Sequence, residues 1–67
     1  MQMITNLKEI RTKAGLTQQQ LADQIDVGRT TVTMWESGAN IPPTKYLVAI
    51  AEALSCTVDE LLNNQTA

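Results

Sequence analysis

The segment Thr17-Gln18-Gln19-Gln20-Leu21-Ala22, continuing through Asp26, Val27 and Gly28 to Val32-Thr33-Met34-Trp35-Glu36-Ser37-Gly38, decides how the chain folds. Thr17 is a natural N-cap with Gln20 three residues on, a capping box in which each side chain satisfies the other residue's backbone N–H. Leu21, Ala22 and Ile25 make the apolar face of the helix that follows. Asp26 is a turn residue, since aspartate tolerates the left-handed backbone better than most residues with a side chain. A second helix starts near Gly28 and runs to Ser37, with Gly38 ending it.

Two short helices joined by a tight turn describe a helix-turn-helix, and Ala22 is small where a larger side chain would push the pair apart. Steps of 100° along the second helix separate two faces. Thr31, Val32 and Trp35 cluster on one side as core, and Arg29, Thr30, Thr33, Met34 and Ser37 on the other as a mixed polar strip.

Outward from this unit the chain reads as helices only. Leu7, Ile10 and Ala14 recur at helical spacing before Gly15, which places a first helix over roughly 5–14. Ile41-Pro42-Pro43 is a rigid connection that pre-sets a fourth helix, where Leu47, Ile50, Ala51 and Leu54 follow the i, i+3, i+4, i+7 pattern. Thr57 and Glu60 form a second capping box and open a short last helix with Val58, Leu61 and Leu62 as its apolar side. The expected fold is all-α: one domain over 1–67, a compact bundle of five short helices with an ordered core over about 4–62 and a frayed tail at 63–67.

Composition restricts the chemistry. Sixty-seven residues make one domain at most, and with 43% hydrophobic and 18% charged residues the chain is too apolar for disorder. No apolar run approaches the ~20 residues of a membrane span, and the N-terminus lacks the basic and apolar regions of a signal peptide, so the expected location is the cytoplasm and no membrane partner is expected. There is no His and only one Cys, which removes the commonest general base and any intramolecular disulfide. The three glycines lie too far apart for a phosphate loop. No enzyme, metal or cofactor is expected.

The net charge of −2 runs against nucleic-acid binding, which draws most of its non-specific affinity from phosphate neutralisation. Its distribution softens the objection. All five basic residues lie within positions 1–45 against four acids, a net of +1, while the last 22 residues hold three acids and no base.

The polar strip also breaks local rules. Thr30-Thr31-Val32-Thr33 is a run of four β-branched residues, each a mediocre helix former, and Arg29 stands in the first turn where the helix dipole disfavours a cation. Violations with no stability gain tend to mark functional sites. Short polar side chains, a forked Arg and a methionine suit base edges and thymine methyls in a major groove; the alternative is an indifferent solvated face.

Taken in order, the T-Q-x-x-L-A opening at Thr17–Ala22, Val27, and the W-E-x-G close at Trp35–Gly38 resemble the Cro/phage-repressor helix-turn-helix family of bacterial and phage transcription regulators. The resemblance spans roughly Leu7 to Leu62, including Ala51 to Leu54 and the V-D-E-L-L segment at 58–62. It implies a phosphate contact for Gln18, base or flanking-phosphate contacts for Arg29, Thr30, Thr33 and Met34, and a grip on the DNA backbone for Asn40 and Lys45. It further implies an ion pair between Arg11 and Glu36 joining the first and third helices. The implied partner is double-stranded DNA, bound as a homodimer at a palindromic operator, the usual action being repression.

Three departures from the family pattern bear on affinity. The loop Ala39-Asn40-Ile41-Pro42-Pro43 is uncharged where many relatives carry Lys or Arg, and Asp26 and Ser55 stand at turn positions that usually hold Gly. Each missing phosphate contact flattens the salt dependence by ~0.9 in slope. Val58, Leu61 and Leu62 offer more apolar surface than one short helix should expose, and are the expected dimer surface. Cys56 reads as a buried inert thiol, and Tyr46 either meets a phosphate or packs. Two other roles fit the same fold: a protein-interaction module such as an antitoxin, with a protein partner, and the controller protein of a restriction-modification system.

Overall fold

The computed structural model describes residues 6–62, in which five helices follow one another: α1 (Leu7–Lys13), α2 (Gln18–Ile25), α3 (Arg29–Ser37), α4 (Thr44–Leu54) and α5 (Val58–Leu62). The expected frayed tail at 63–67 and the start of the ordered core at 4 lie outside the described residues.

Each helix is opened or closed by chemistry local to it. Thr17 Oγ1 accepts the Gln20 N–H at 3.0 Å while Gln20 Oε1 accepts the Thr17 N–H at 2.8 Å, so two otherwise orphaned donors at the start of α2 are satisfied. Thr57 and Glu60 repeat the arrangement at α5, at 3.1 and 2.9 Å. Helix α2 ends on Asp26 at φ 61°, and the Val27 N–H returns to the Ala22 carbonyl at 2.9 Å. Ser55 closes α4 in the same left-handed conformation, φ 57°, and Gly38 closes α3 at φ 88°, where a glycine meets no steric cost. Pro43 stands at the N-cap of α4, one residue before the first helical turn.

The core gathers one face of every helix. Leu7 of α1, Leu21, Ala22 and Ile25 of α2, Val32 and Trp35 of α3, and Leu47, Ile50, Ala51 and Leu54 of α4 enclose it, with Leu61 of α5. Trp35 is buried and its ring lies 5.6 Å from that of Tyr46 at a tilt of 45°, a favourable aromatic arrangement. Tyr46 is half-buried against the core.

Leu61 corrects one expectation. Its side chain is fully buried in the chain's own core, so it cannot form part of a surface that meets a second copy. A bundle this small has few apolar side chains to enclose, and α5, packed on α4, turns Leu61 inward. Of the three residues expected at the dimer surface, Val58 is half-buried against the core and Leu62 is exposed.

Candidate nucleic-acid interface

The outward strip of α3 is built by burial of its other face. With Val32 and Trp35 fixed in the core, helical geometry turns Arg29, Thr30, Thr33 and Ser37 outward, where all four are exposed; Met34 at the edge is half-buried.

Behind the strip lies a buried ion pair. Arg11 Nε donates to Glu36 Oε2 at 2.6 Å and Arg11 Nη2 to Glu36 Oε1 at 3.3 Å, a two-point contact joining α1 to α3. Arg11 Nη1 donates to the Leu16 carbonyl at 2.7 Å, tying the α1–α2 turn to the same guanidinium. The two side chains are 10% and 5% exposed, which makes each charge dependent on the other.

Gln18 continues this network into the strip. Its amide nitrogen donates to Glu36 Oε1 at 2.9 Å, and its amide oxygen accepts the Thr33 hydroxyl at 3.1 Å. Arg11, Glu36, Gln18 and Thr33 therefore form one chain of bonds through α1, α3 and α2. The second amide hydrogen of Gln18 makes no bond to a described residue. Gln18 and Arg29 also line one open groove of about 480 Å³ at the start of α2, together with Thr17 and Gln19.

The remaining site residues sit at the far end of α3. The Asn40 side-chain amide donates to Met34 Sδ at 3.3 Å and the Asn40 N–H to the Met34 carbonyl at 3.3 Å, so the loop is folded back onto the strip. Lys45, exposed on the first turn of α4, holds its ammonium 5.1 Å from the Tyr46 ring centre. The structure thus joins Gln18 to Thr33, and Met34 to Asn40, while Lys45 stands apart with Tyr46. The links from Gln18 to Glu36 and Thr33 span 18 and 15 positions, and sequence reasoning missed them.

Helix-turn-helix is the protein family whose model matches residues 7–61. The chain belongs to this family. It is 42% identical over 65 residues to the HTH-type transcriptional activator BcrR of Enterococcus faecalis, covering 97% of the chain and 32% of BcrR. It is 38% identical over 61 residues to the cryptic phage CTXphi transcriptional repressor RstR of Vibrio cholerae, covering 91% of the chain and 54% of RstR. The chain thus spans a third to about half the length of these relatives. Among solved structures it resembles the P22 c2 repressor in complex with synthetic operator 9T, with TM-score 0.84, 26% identity, and coverage of 97% of this chain and 100% of that one. The family and these relatives are transcription regulators, and the chain is a DNA-binding regulatory domain of that type and not an enzyme. Among the described residues, no helix is long and apolar enough to cross a membrane and no group of three or more His, Cys, Asp or Glu could hold a metal ion.

Proposed function

We propose that the chain is a sequence-specific regulator that lays α3 in the major groove of a palindromic operator, binds as a two-fold dimer and represses by occupying that site in the cytoplasm. The observation that carries this reading is the exposed strip Arg29, Thr30 and Thr33, with half-buried Met34 at its edge, on a helix whose opposite face is locked into the core and whose Glu36 is tied to α1 and α2. A groove-reading helix needs such rigid support, because base contacts discriminate only when the side chains are held in register.

The roles divide by chemistry. Arg29 supplies the forked donor suited to a guanine edge, and Thr30, Thr33 and Met34 complete the reading surface. Gln18, through its second amide hydrogen, and Asn40 and Lys45 at the opposite end bind phosphates and set the register, contacts that carry no sequence information. One helix reads only a few base pairs, too few against the competing sites of a genome, so two copies reading half-sites one helical turn apart are required. Leu62 and Val58 contribute to the surface between the copies. Repression needs only occupancy of the operator, and two of the similar proteins, RstR and the P22 c2 protein, are repressors, while BcrR is an activator.

Selection from a randomised duplex pool at low salt, followed by sequencing of the bound fraction, tests this. Enrichment of a palindrome with half-site centres ~10–11 base pairs apart is the expected result. Retention of duplex without any enriched sequence would refute it and turn attention to a protein partner.

A further inference from the structure

We propose that Glu36, held in place by Arg11, is a positioning residue for DNA binding: its carboxylate keeps the Gln18 side-chain amide in one orientation, with one N–H left over for a phosphate. The proposal rests on the phosphate role given to Gln18 above and names what keeps that side chain ready.

A glutamine amide in solvent turns about its last torsion and offers oxygen or nitrogen alike. Only the nitrogen end can bind a phosphate, since an amide oxygen has no proton to give. In this chain both ends of the Gln18 amide are engaged. The nitrogen donates to Glu36 Oε1 at 2.9 Å, and the oxygen accepts the Thr33 hydroxyl at 3.1 Å. A carboxylate only accepts, so the reversed amide would set two oxygens against each other. The Thr33 hydroxyl lies equally near the Arg29 carbonyl, at 3.1 Å, and has one proton for the two acceptors, so Glu36 is the firmer anchor.

Glu36 is itself fixed from α1. Arg11 gives it Nε and Nη2, at 2.6 and 3.3 Å, and commits Nη1 to the Leu16 carbonyl at 2.7 Å. With their polar groups so taken up and their side chains 10% and 5% exposed, Arg11 and Glu36 act on DNA through Gln18 and not by touching it. Gln18 is half-buried on the wall of the open groove that Arg29 also lines. Ordering one such side chain on docking weakens a complex by about two- to tenfold, and an amide ordered beforehand escapes that loss.

A double-mutant cycle on the full chain tests this, read by fluorescence anisotropy at a temperature where every variant is folded. Arg11→Met/Glu36→Met removes the carboxylate, leaves the net charge unchanged and keeps apolar volume in its place. It should weaken binding to the selected operator about two- to tenfold when Gln18 is present, and less than about twofold beside Gln18→Ala. Gln18→Ala alone should weaken binding about tenfold, the effect of losing one hydrogen bond to a charged group. Two further readouts separate positioning from loss of structure. The ratio of affinities for operator and scrambled duplex should not change, because a phosphate contact carries no sequence information. The salt slope should not change either, because Gln18 is neutral and releases no counterion. Equal losses with and without Gln18, no loss in either, or a lowered ratio or slope would overturn the positioning role while DNA recognition by α3 stands. If Gln18→Ala binds as wild type does, the phosphate contact of Gln18 falls and the proposal with it. Failure to select any operator would overturn the role of α3 itself.

Discussion

Replacing Glu36 by alanine should cost this small domain a third or more of its stability. Glu36 takes two bonds from Arg11, at 2.6 and 3.3 Å, and one from Gln18 at 2.9 Å, and the two charged side chains are 10% and 5% exposed. In Glu36→Ala the guanidinium stays where α1 and the Leu16 carbonyl hold it, now without a counter-charge. Breaking a buried pair from one side costs about 3–5 kcal/mol. A domain of 67 residues is stable by only about 3–10 kcal/mol in total. Each kcal/mol moves the midpoint of a domain this size by about 4–8 °C, so the loss should exceed about 12 °C. Thermal unfolding followed by circular dichroism reads it directly. The double variant Arg11→Met/Glu36→Met removes both charges and leaves apolar volume in their place; it should lie within about 2 kcal/mol of wild type and above the single variant. A Glu36→Ala cost below about 1 kcal/mol, the range of an exposed pair, would refute the reasoning, as would a double variant less stable than Glu36→Ala.

Further expectations come from other parts of the chain. Ser55→Gly relieves a side chain held at φ 57° and should raise the unfolding free energy by about 1 kcal/mol in urea titration, with a smaller gain for Asp26→Gly because aspartate tolerates that conformation. Leu61→Ala should cost about 2–5 kcal/mol by the same titration, whereas Leu62→Asp should leave unfolding nearly unchanged and lower the dimer fraction seen by sedimentation. Burial and the neighbouring Glu60 carboxylate push the Cys56 thiol up, so alkylation should be slow at neutral pH and accelerate only at a higher pH than for a free thiol. Lys45→Ala should weaken binding to all duplexes alike and reduce the salt slope by about 0.9 for each phosphate that the lysine no longer neutralises, measured by anisotropy across a salt series.

Most of the fold is legible in the sequence because its signals are local. The two capping boxes, at Thr17 and Thr57, and the stop at Gly38 act within a few residues, and the core spacing of Leu47, Ile50, Ala51 and Leu54 lies on one helix. Leu61 was not legible. A helix of five residues has barely one turn, and periodicity cannot decide which of Val58, Leu61 and Leu62 faces inward until α4 is in place beside it. The partners of Gln18 were hidden for a similar reason. Its amide can serve a phosphate or a carboxylate equally well, and only the packing of α2 on α3 brings Glu36 and Thr33 within reach. The strip on α3, by contrast, was visible from helical geometry and from its poor helix formers.

The measurement that bears most directly on the role of α3 is the ratio of affinities for the selected operator and a scrambled duplex, taken for wild type, Arg29→Ala and Lys45→Ala at one salt concentration. Removing a bidentate bond to a base is worth about 1–3 kcal/mol, so Arg29→Ala should lower that ratio by roughly 5- to 150-fold, while Lys45→Ala should weaken both affinities and leave the ratio unchanged. An unchanged ratio for Arg29→Ala would contradict sequence reading by α3.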